Sequence, residues 1–259
     1  MRLRKDNISL LWLNLKDLGC KLVFDHTHHQ KIHLILNSLN VGIIEEVGAC
    51  FGGGTLITLL NNEYRWSRDV DFICPVGPGY RRLREIVADA NFQPSIFFSD
   101  STHLEFPRAL KADQYGIRFL VVADQTPIKF EIVAEARISL NPPKYYVWPS
   151  IPCLDHEDQC TEKLLANADR WADTSIESRD LIDLAVLRHH GPLPKKAILK
   201  AESAYPVIPE LKKALRKFLD NRQYRDKCFN ALEIENRSHI LSGVHLLAND
   251  FDLKIEDSE

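Results

Sequence analysis

The chain has 259 residues and a mass of 29.7 kDa, and 33 Lys and Arg against 36 Asp and Glu leave a formal charge of -3. That balance excludes a generally basic nucleic-acid coat protein, and 45% hydrophobic with 27% charged residues excludes a disordered chain. The length lies near the point where a single apolar core stops growing, which favours two modest domains over one.

Met1 to Asn7 is charged, and the apolar run from Ile8 to Leu15 is interrupted by Asn14 and lacks a small-residue cleavage site, so no secretory signal is expected. No apolar run approaches the roughly 20 residues of a bilayer-spanning helix. A cytoplasmic protein without membrane partners is the expectation, and the scattered Cys20, Cys50, Cys74, Cys153, Cys160 and Cys228 are expected to be free thiols.

Apolar residues recur at helical spacing from Ser9 to Leu36, with a break near Gly19 to Asp25 that predicts two helices. Val47 to Phe51 reads as a short buried strand running into Gly52, Gly53, Gly54 and Thr55, with a helix over Leu56 to Leu60. A second strand holds Val70, Phe72 and Ile73 and closes at Pro75; Tyr80 to Ala90 reads as a helix with Arg81, Arg82 and Arg84 on a basic face. Strands over Ile117 to Ala123 and Ile128 to Ala134 are joined by the turn Asp124-Gln125-Thr126-Pro127.

Pro142, Pro143, Pro149 and Pro152 then break both patterns, which places a domain boundary at 145/146. Beyond it, Glu157 to Ala172, Ser178 to His190, Lys195 to Tyr205, Pro209 to Leu219, Tyr224 to Leu232 and Arg237 to Leu247 all read as helices. The expected fold is α+β: a small mixed sheet with N-terminal helices over residues 1–145, then a helical domain over 146–259. Ile255 to Glu259 is a short acidic tail expected to fray.

The chemistry concentrates in Phe51-Gly52-Gly53-Gly54-Thr55-Leu56 and Trp66-Ser67-Arg68-Asp69-Val70-Asp71-Phe72. Glycines between a strand and a helix let backbone N–H groups converge on an anion at the helix N-terminus, and Thr55 adds a hydroxyl, which favours a phosphate. Asp69 and Asp71, two apart on a strand, place both carboxylates on one side while Val70 and Phe72 face the core. Two like charges held together call for a cation. Glu131 is the one acid in the otherwise apolar Phe130-Glu131-Ile132-Val133 and is the candidate third ligand. Three carboxylates with phosphate oxygens make the ligand set magnesium prefers, and the implied reaction is nucleotidyl transfer. In the second half, Lys163, Ala166, Asn167 and Arg170 share a helix face, as do Arg179 and Asp183.

Taken together, Gly53-Gly54-Thr55, Arg65 and Ser67 before Asp69-Val70-Asp71-Phe72, Lys163-x-x-Ala166-x-x-x-Arg170, and Arg179-Asp180-x-x-Asp183 resemble the AbiEii family of nucleotidyltransferase toxins. These are the enzymatic components of abortive-infection and toxin–antitoxin operons, similar in fold to polymerase β-type nucleotidyltransferases. The resemblance covers about residues 45 to 190. It implies that Gly53, Gly54 and Thr55 hold the triphosphate of a nucleoside triphosphate, that Asp69 and Asp71 bind Mg2+, and that Lys163 contacts phosphates. Asp180 or Asp183 fills the last acidic motif. An RNA acceptor, in particular a tRNA end, and a cognate antitoxin are the implied partners. Glu131 as a metal ligand rests on general nucleotidyltransferase logic.

Two rivals share these motifs: a nucleotidyltransferase that modifies small antibiotics, and a non-catalytic nucleotide-binding module. His26, His28, His29 and His33 include a pair four apart that could ligate zinc, but read better as a polar helix face. Cys153 and Cys160 flank Asp155 and His156 without structural-zinc spacing, and Ser67 has no serine-hydrolase signature around it. Basic residues from Lys195 to Lys227, with Arg81, Arg82 and Arg84, could face an RNA, since phosphate contact depends on local field.

Overall fold

The computed structural model describes residues 24–253. The helix expected from Ser9, Cys20 and the acidic tail fall outside them. The first half contains α1 (Thr27–Asn37), α2 (Val41–Glu46), β1 (Cys50–Phe51), α3 (Gly53–Leu60), β2 (Val70–Pro75), α4 (Pro78–Asp89), β3 (Leu104–Glu105), β4 (Lys111–Ala112), β5 (Gly116–Ala123) and β6 (Thr126–Glu135). The second half contains α5 (His156–Arg170), α6 (Arg179–Arg188), α7 (Lys195–Ala204), α8 (Ile208–Asp220), α9 (Arg222–Ala231) and α10 (Arg237–Asp250). The expected α+β architecture is present: one mixed sheet followed by helices.

The sheet runs β1-β2-β6-β5-β3, with β4 also on β5. β2 and β6 are parallel, with Asp71 opposite Glu131, and the other pairings are antiparallel. Strand alternation sorts its two faces. Phe72, Phe130 and Phe119 point into the first core and stack with ring centroids 5.4 and 4.7 Å apart, and Phe97 continues the stack at 5.7 Å from Phe119. Asp71, Ile73, Lys129, Glu131 and Val133 point the other way, into a cavity under the helical half. That inversion of polarity within single strands is what places chemistry on the sheet.

Buried apolar residues fall into two clusters. One holds Phe24 through Leu154; the other holds Cys160 through Leu253, together with Ile57 of α3 and Ile138. The proline-rich segment packs with the first cluster, because Phe51 N–H donates to the Pro152 carbonyl and Leu154 N–H to the Phe51 carbonyl, covering the β1 edge. α5 begins only at His156, where the Asp155 side chain accepts the Asp158 N–H at 2.8 Å and acids occupy the first turn.

Several elements differ from their sequence reading. Val47 ends α2, so β1 is only Cys50–Phe51, and α3 starts at Gly53 because the glycines themselves form its first turn. The β5–β6 turn is only Asp124-Gln125, both at positive φ, and Thr126 and Pro127 already pair in β6. The short α2, β3 and β4 went unread, being too short for a periodic pattern to register. Among the described residues no helix is long and apolar enough to cross a membrane, and the five described cysteines are unpaired, buried thiols.

Candidate active site

A polar cavity of about 400 Å³ lies between the sheet and the helical half. Gly53, Gly54 and Thr55 line it from α3, Asp69 and Asp71 from β2 and its approach, Lys129 and Glu131 from β6, and Lys163 and Arg170 from α5. A second cavity of about 340 Å³ lies behind α3 among Leu59, Leu60, Tyr146, Trp148 and Leu187. It has no lysine or arginine to meet a phosphate; only the polar cavity, among those described, brings the glycine turn, the carboxylate pair and Lys163 together, which makes it the candidate site.

The two turn glycines are required by their neighbours. Gly53 sits at φ +66°, and a Cβ there would lie 2.7 Å from Asp71 Oδ2. A Cβ on Gly54 would lie 2.0 Å from Arg65 Nη2. The turn is therefore bare where a carboxylate and a guanidinium press against it, and the amides at the α3 N-terminus remain approachable by an anion. Thr55 is 1% exposed, and its hydroxyl donates to the Asp69 carbonyl at 2.6 Å while lying 2.7 Å from Ser67 Oγ. It ties α3 to the carboxylate-bearing strand, and its one proton is directed at that carbonyl.

Asp69 and Asp71 stand together on the cavity face. Burial, then the charges of Asp69 and Glu131, push the Asp71 carboxyl up to about 6, against the smaller opposing pull of Lys129 and Lys163. Glu131 lies across the strand pair from Asp71, but Arg118 (2.5 Å) and Lys129 take its oxygens. Burial alone would raise this carboxyl; those two cations hold it below its ordinary range. The fold thus brings Glu131 beside Asp71 without adding it to a three-carboxylate cluster, and among the described residues no three metal-binding side chains form one. Two hard carboxylates beside a glycine turn at a helix N-terminus fit a magnesium ion, which takes oxygen ligands.

The opposite wall is cationic and held from behind. Asp183, 0% exposed, accepts from Arg65 Nε at 2.6 Å and Nη2 at 3.0 Å, and from the Tyr64 hydroxyl at 2.5 Å. Lys163 Nζ lies 2.6 Å from Asp183 and 2.8 Å from Asp180, and Arg170 makes two bonds to Asp180. Burial would raise both carboxyls, but Arg65 and Lys163 hold Asp183, and Lys163 and Arg170 hold Asp180, below the usual range. Neither aspartate lines the cavity; Arg65, Lys163 and Arg170 do. The question of which aspartate faces the cleft therefore resolves differently from either choice: both stand behind the cations and aim them. Lys163 donates a hydrogen bond to Asp180 and pairs its charge with Asp183, while also lining the cavity.

The histidines are not a surface stripe. His29 is fully buried and bonded at both ring nitrogens, to Glu63 and to the Ser67 N–H, while His28 bonds the Arg68 carbonyl. Asp155 is a helix cap, and His156 lies 3.8 Å from Cys160 Sγ without a third ligand-type group clustered there. Sequence reading also missed Arg137 and Glu162, which meet at 3.1 Å on the cavity wall; Glu162 Oε1 is buried without a hydrogen-bond partner. An acid directly before Lys163 on the same helix was the available signal.

The family model described as nucleotidyl transferase AbiEii toxin, type IV toxin–antitoxin system, matches residues 46–227. The chain belongs to the AbiEii family. As an AbiEii protein it is an enzyme, a nucleotidyltransferase of the toxin class, and the matched residues carry both walls of the cavity. Solved structures similar to it include two from Helicobacter pylori. JHP933 from Helicobacter pylori is 16% identical, covering 89% of this chain and 95% of its own, with a TM-score of 0.49. A candidate nucleotidyltransferase from H. pylori is 17% identical, covering 88% of this chain and 99% of its own, with a TM-score of 0.45. No curated protein matches the chain.

Proposed function

We propose that this AbiEii protein transfers a nucleoside monophosphate from a nucleoside triphosphate to a hydroxyl of an RNA acceptor, in particular a tRNA end, with magnesium, and so arrests growth unless an antitoxin counters it. The observation that carries the reading is the opposition of Asp69 and Asp71 to Arg65, Lys163 and Arg170 across the Gly53-Gly54 turn. A site that binds only a carboxylate or a sugar does not need a carboxylate pair facing three cations. A polyphosphate with its metal does.

The α3 amides and Lys163 would hold the triphosphate, and Asp69 and Asp71 would hold magnesium, with Glu131 adding to their negative field. When bound, the metal supplies Lewis-acid stabilisation of charge on the transferring phosphoryl group. The acceptor hydroxyl gives up its proton to water as its oxygen bonds to the α-phosphorus and the bond to the bridging oxygen of pyrophosphate breaks. Lys163 and Arg170, aimed by Asp180 and Asp183, then face the charge that develops on the leaving pyrophosphate. Arg65 closes the wall from the first half of the chain.

Incubation with each labelled nucleoside triphosphate and total RNA tests this reading. The expectation is label on RNA, lost by at least about 100-fold in Asp69→Ala and Lys163→Ala. Label on a small aminoglycoside-like acceptor and none on RNA would favour the antibiotic-modifying reading. Unchanged transfer in both variants would end the catalytic assignment.

A further inference from the structure

We propose that His29 of α1, backed by Glu63, is a positioning residue for nucleotidyl transfer: it clamps the chain two residues before Asp69 and so sets where the carboxylate pair stands. The proposal rests on the reading of Asp69 and Asp71 as the metal-holding pair. α1 lies upstream of residues 46–227, so the histidine comes from outside the family match, while its partners Glu63 and Ser67 lie within it.

The geometry is a chain of directed hydrogen bonds. Ser67 N–H donates to His29 Nε2 at 3.1 Å, so the ring carries its proton on Nδ1, which donates to Glu63 Oε1 at 2.6 Å. Glu63 in turn accepts the N–H groups of Asp25 at 2.7 Å and His26 at 3.2 Å, which fixes the start of α1 against the same loop. One residue along, His28 Nε2 bonds the Arg68 carbonyl at 2.9 Å. The next carbonyl, that of Asp69, takes the Thr55 hydroxyl at 2.6 Å, and Ser67 Oγ meets Thr55 Oγ1 at 2.7 Å. Residues 67, 68 and 69 are each anchored, the first two by α1 and the third by α3.

Packing alone does not account for His29. It is 0% exposed, and burying an imidazole costs desolvation that a leucine of similar size would avoid. Both nitrogens are spent on orienting the loop. Displacement of a reacting group by about 1 Å can cost about 100-fold in rate, so a brace on this loop bears directly on the chemistry. Lys163 is held by Asp180 and Asp183 on the far wall, independently of His29, so loss of the brace should weaken metal binding more than nucleotide affinity.

The test uses the full chain and Mn2+ alone as the probe, titrated calorimetrically, with transfer kinetics beside it. His29→Leu should fold, bind Mn2+ about tenfold more weakly and lose at least about tenfold in kcat, in the range expected for outer partners of metal ligands. The KM for nucleoside triphosphate should stay within about twofold. His29→Gln, whose Oε1 can accept the Ser67 N–H, should recover most of both losses. If His29→Leu does not fold, Glu63→Gln decides the matter, because an amide can impose the other imidazole tautomer and weaken the Ser67 bond; it should show the same split to a lesser degree. Wild-type Mn2+ affinity and kcat in His29→Leu or, failing that, in Glu63→Gln would overturn the brace, as would a His29→Gln variant no better than His29→Leu. Asp69→Asn should lose Mn2+. If it binds Mn2+ normally, the metal assignment itself fails, which is a different result from loss in Asp69→Asn with retention in His29→Leu.

Discussion

Gly53 and Gly54 adjoin in sequence but are held to glycine by different neighbours, and that difference separates their variants. Alanine at Gly53 would enter the left-handed region, at a cost of about 1–2 kcal/mol, and drive its Cβ onto the Asp71 carboxylate. Gly53→Ala should therefore lose Mn2+ binding and reduce transfer by about 100-fold with only a modest fall in stability. In Gly54→Ala the intruding Cβ meets the Arg65 guanidinium, which cannot yield without leaving Asp183. That variant should lose activity to a similar extent and also unfold at distinctly lower urea, while its Mn2+ affinity stays near wild type. Calorimetry and urea titration of the two proteins distinguish these outcomes, and identical losses of metal binding would refute the assignment. The Asp-x-Asp spacing was legible because a period of two leaves no choice of face. The partners of Asp183 were not, because Arg65 lies 118 residues away in sequence and only the folded chain brings them together.

At the scale of elements, Asp183 joins α6 to the loop before β2 and to α5 through Lys163. A buried pair of this kind adds little over an apolar replacement, but removing one partner strands the others in a dry site. Asp183→Asn should lower stability by about 3–5 kcal/mol at neutral pH, measured by urea unfolding. The sign of its pH dependence follows from the depressed carboxyl. Its contribution is complete above the unfolded-state value of about 3.9 and is lost as pH falls through the lower folded-state value. The gap between wild type and Asp183→Asn should narrow below about pH 4, because the protonated acid then resembles the amide. A gap that persists unchanged at pH 3 would contradict the ionised network. The helices of the second half were legible because each repeats an apolar stripe over at least ten residues. The limits of β1 and α3 were not, because a two-residue strand and a helix opening on glycines have no period to read. The residues of the proline cluster pair with β1 and pack with the first apolar cluster, while α5 onward, together with Ile57 and Ile138, forms the second.

For the molecule as a whole, the net charge of -3 says little about the potential a substrate meets. The acids at the site are either a pair facing the glycine turn or are already matched by cations, while Arg65, Lys163 and Arg170 line the cavity. Lys129 and Arg118 on the sheet beside it are matched by Glu131 and Asp113, while Arg81 and Arg84 are exposed on α4. An RNA acceptor held through phosphates at such residues must release counterions on binding. Three contacts on a single strand would weaken binding roughly twentyfold between about 50 and 200 mM salt. The KM for RNA should therefore rise at least about tenfold over that range, while the KM for a small hydroxyl acceptor changes little because it has no counterion atmosphere to release. Initial-rate measurements with tRNA at graded KCl and saturating nucleotide give the slope directly. Neutralising Arg81 and Arg84 together should flatten it by about one to two contacts if the RNA crosses α4. A slope unchanged by those substitutions would place the acceptor away from α4, and a KM for RNA independent of salt would remove RNA from the reading while leaving the nucleotide site intact.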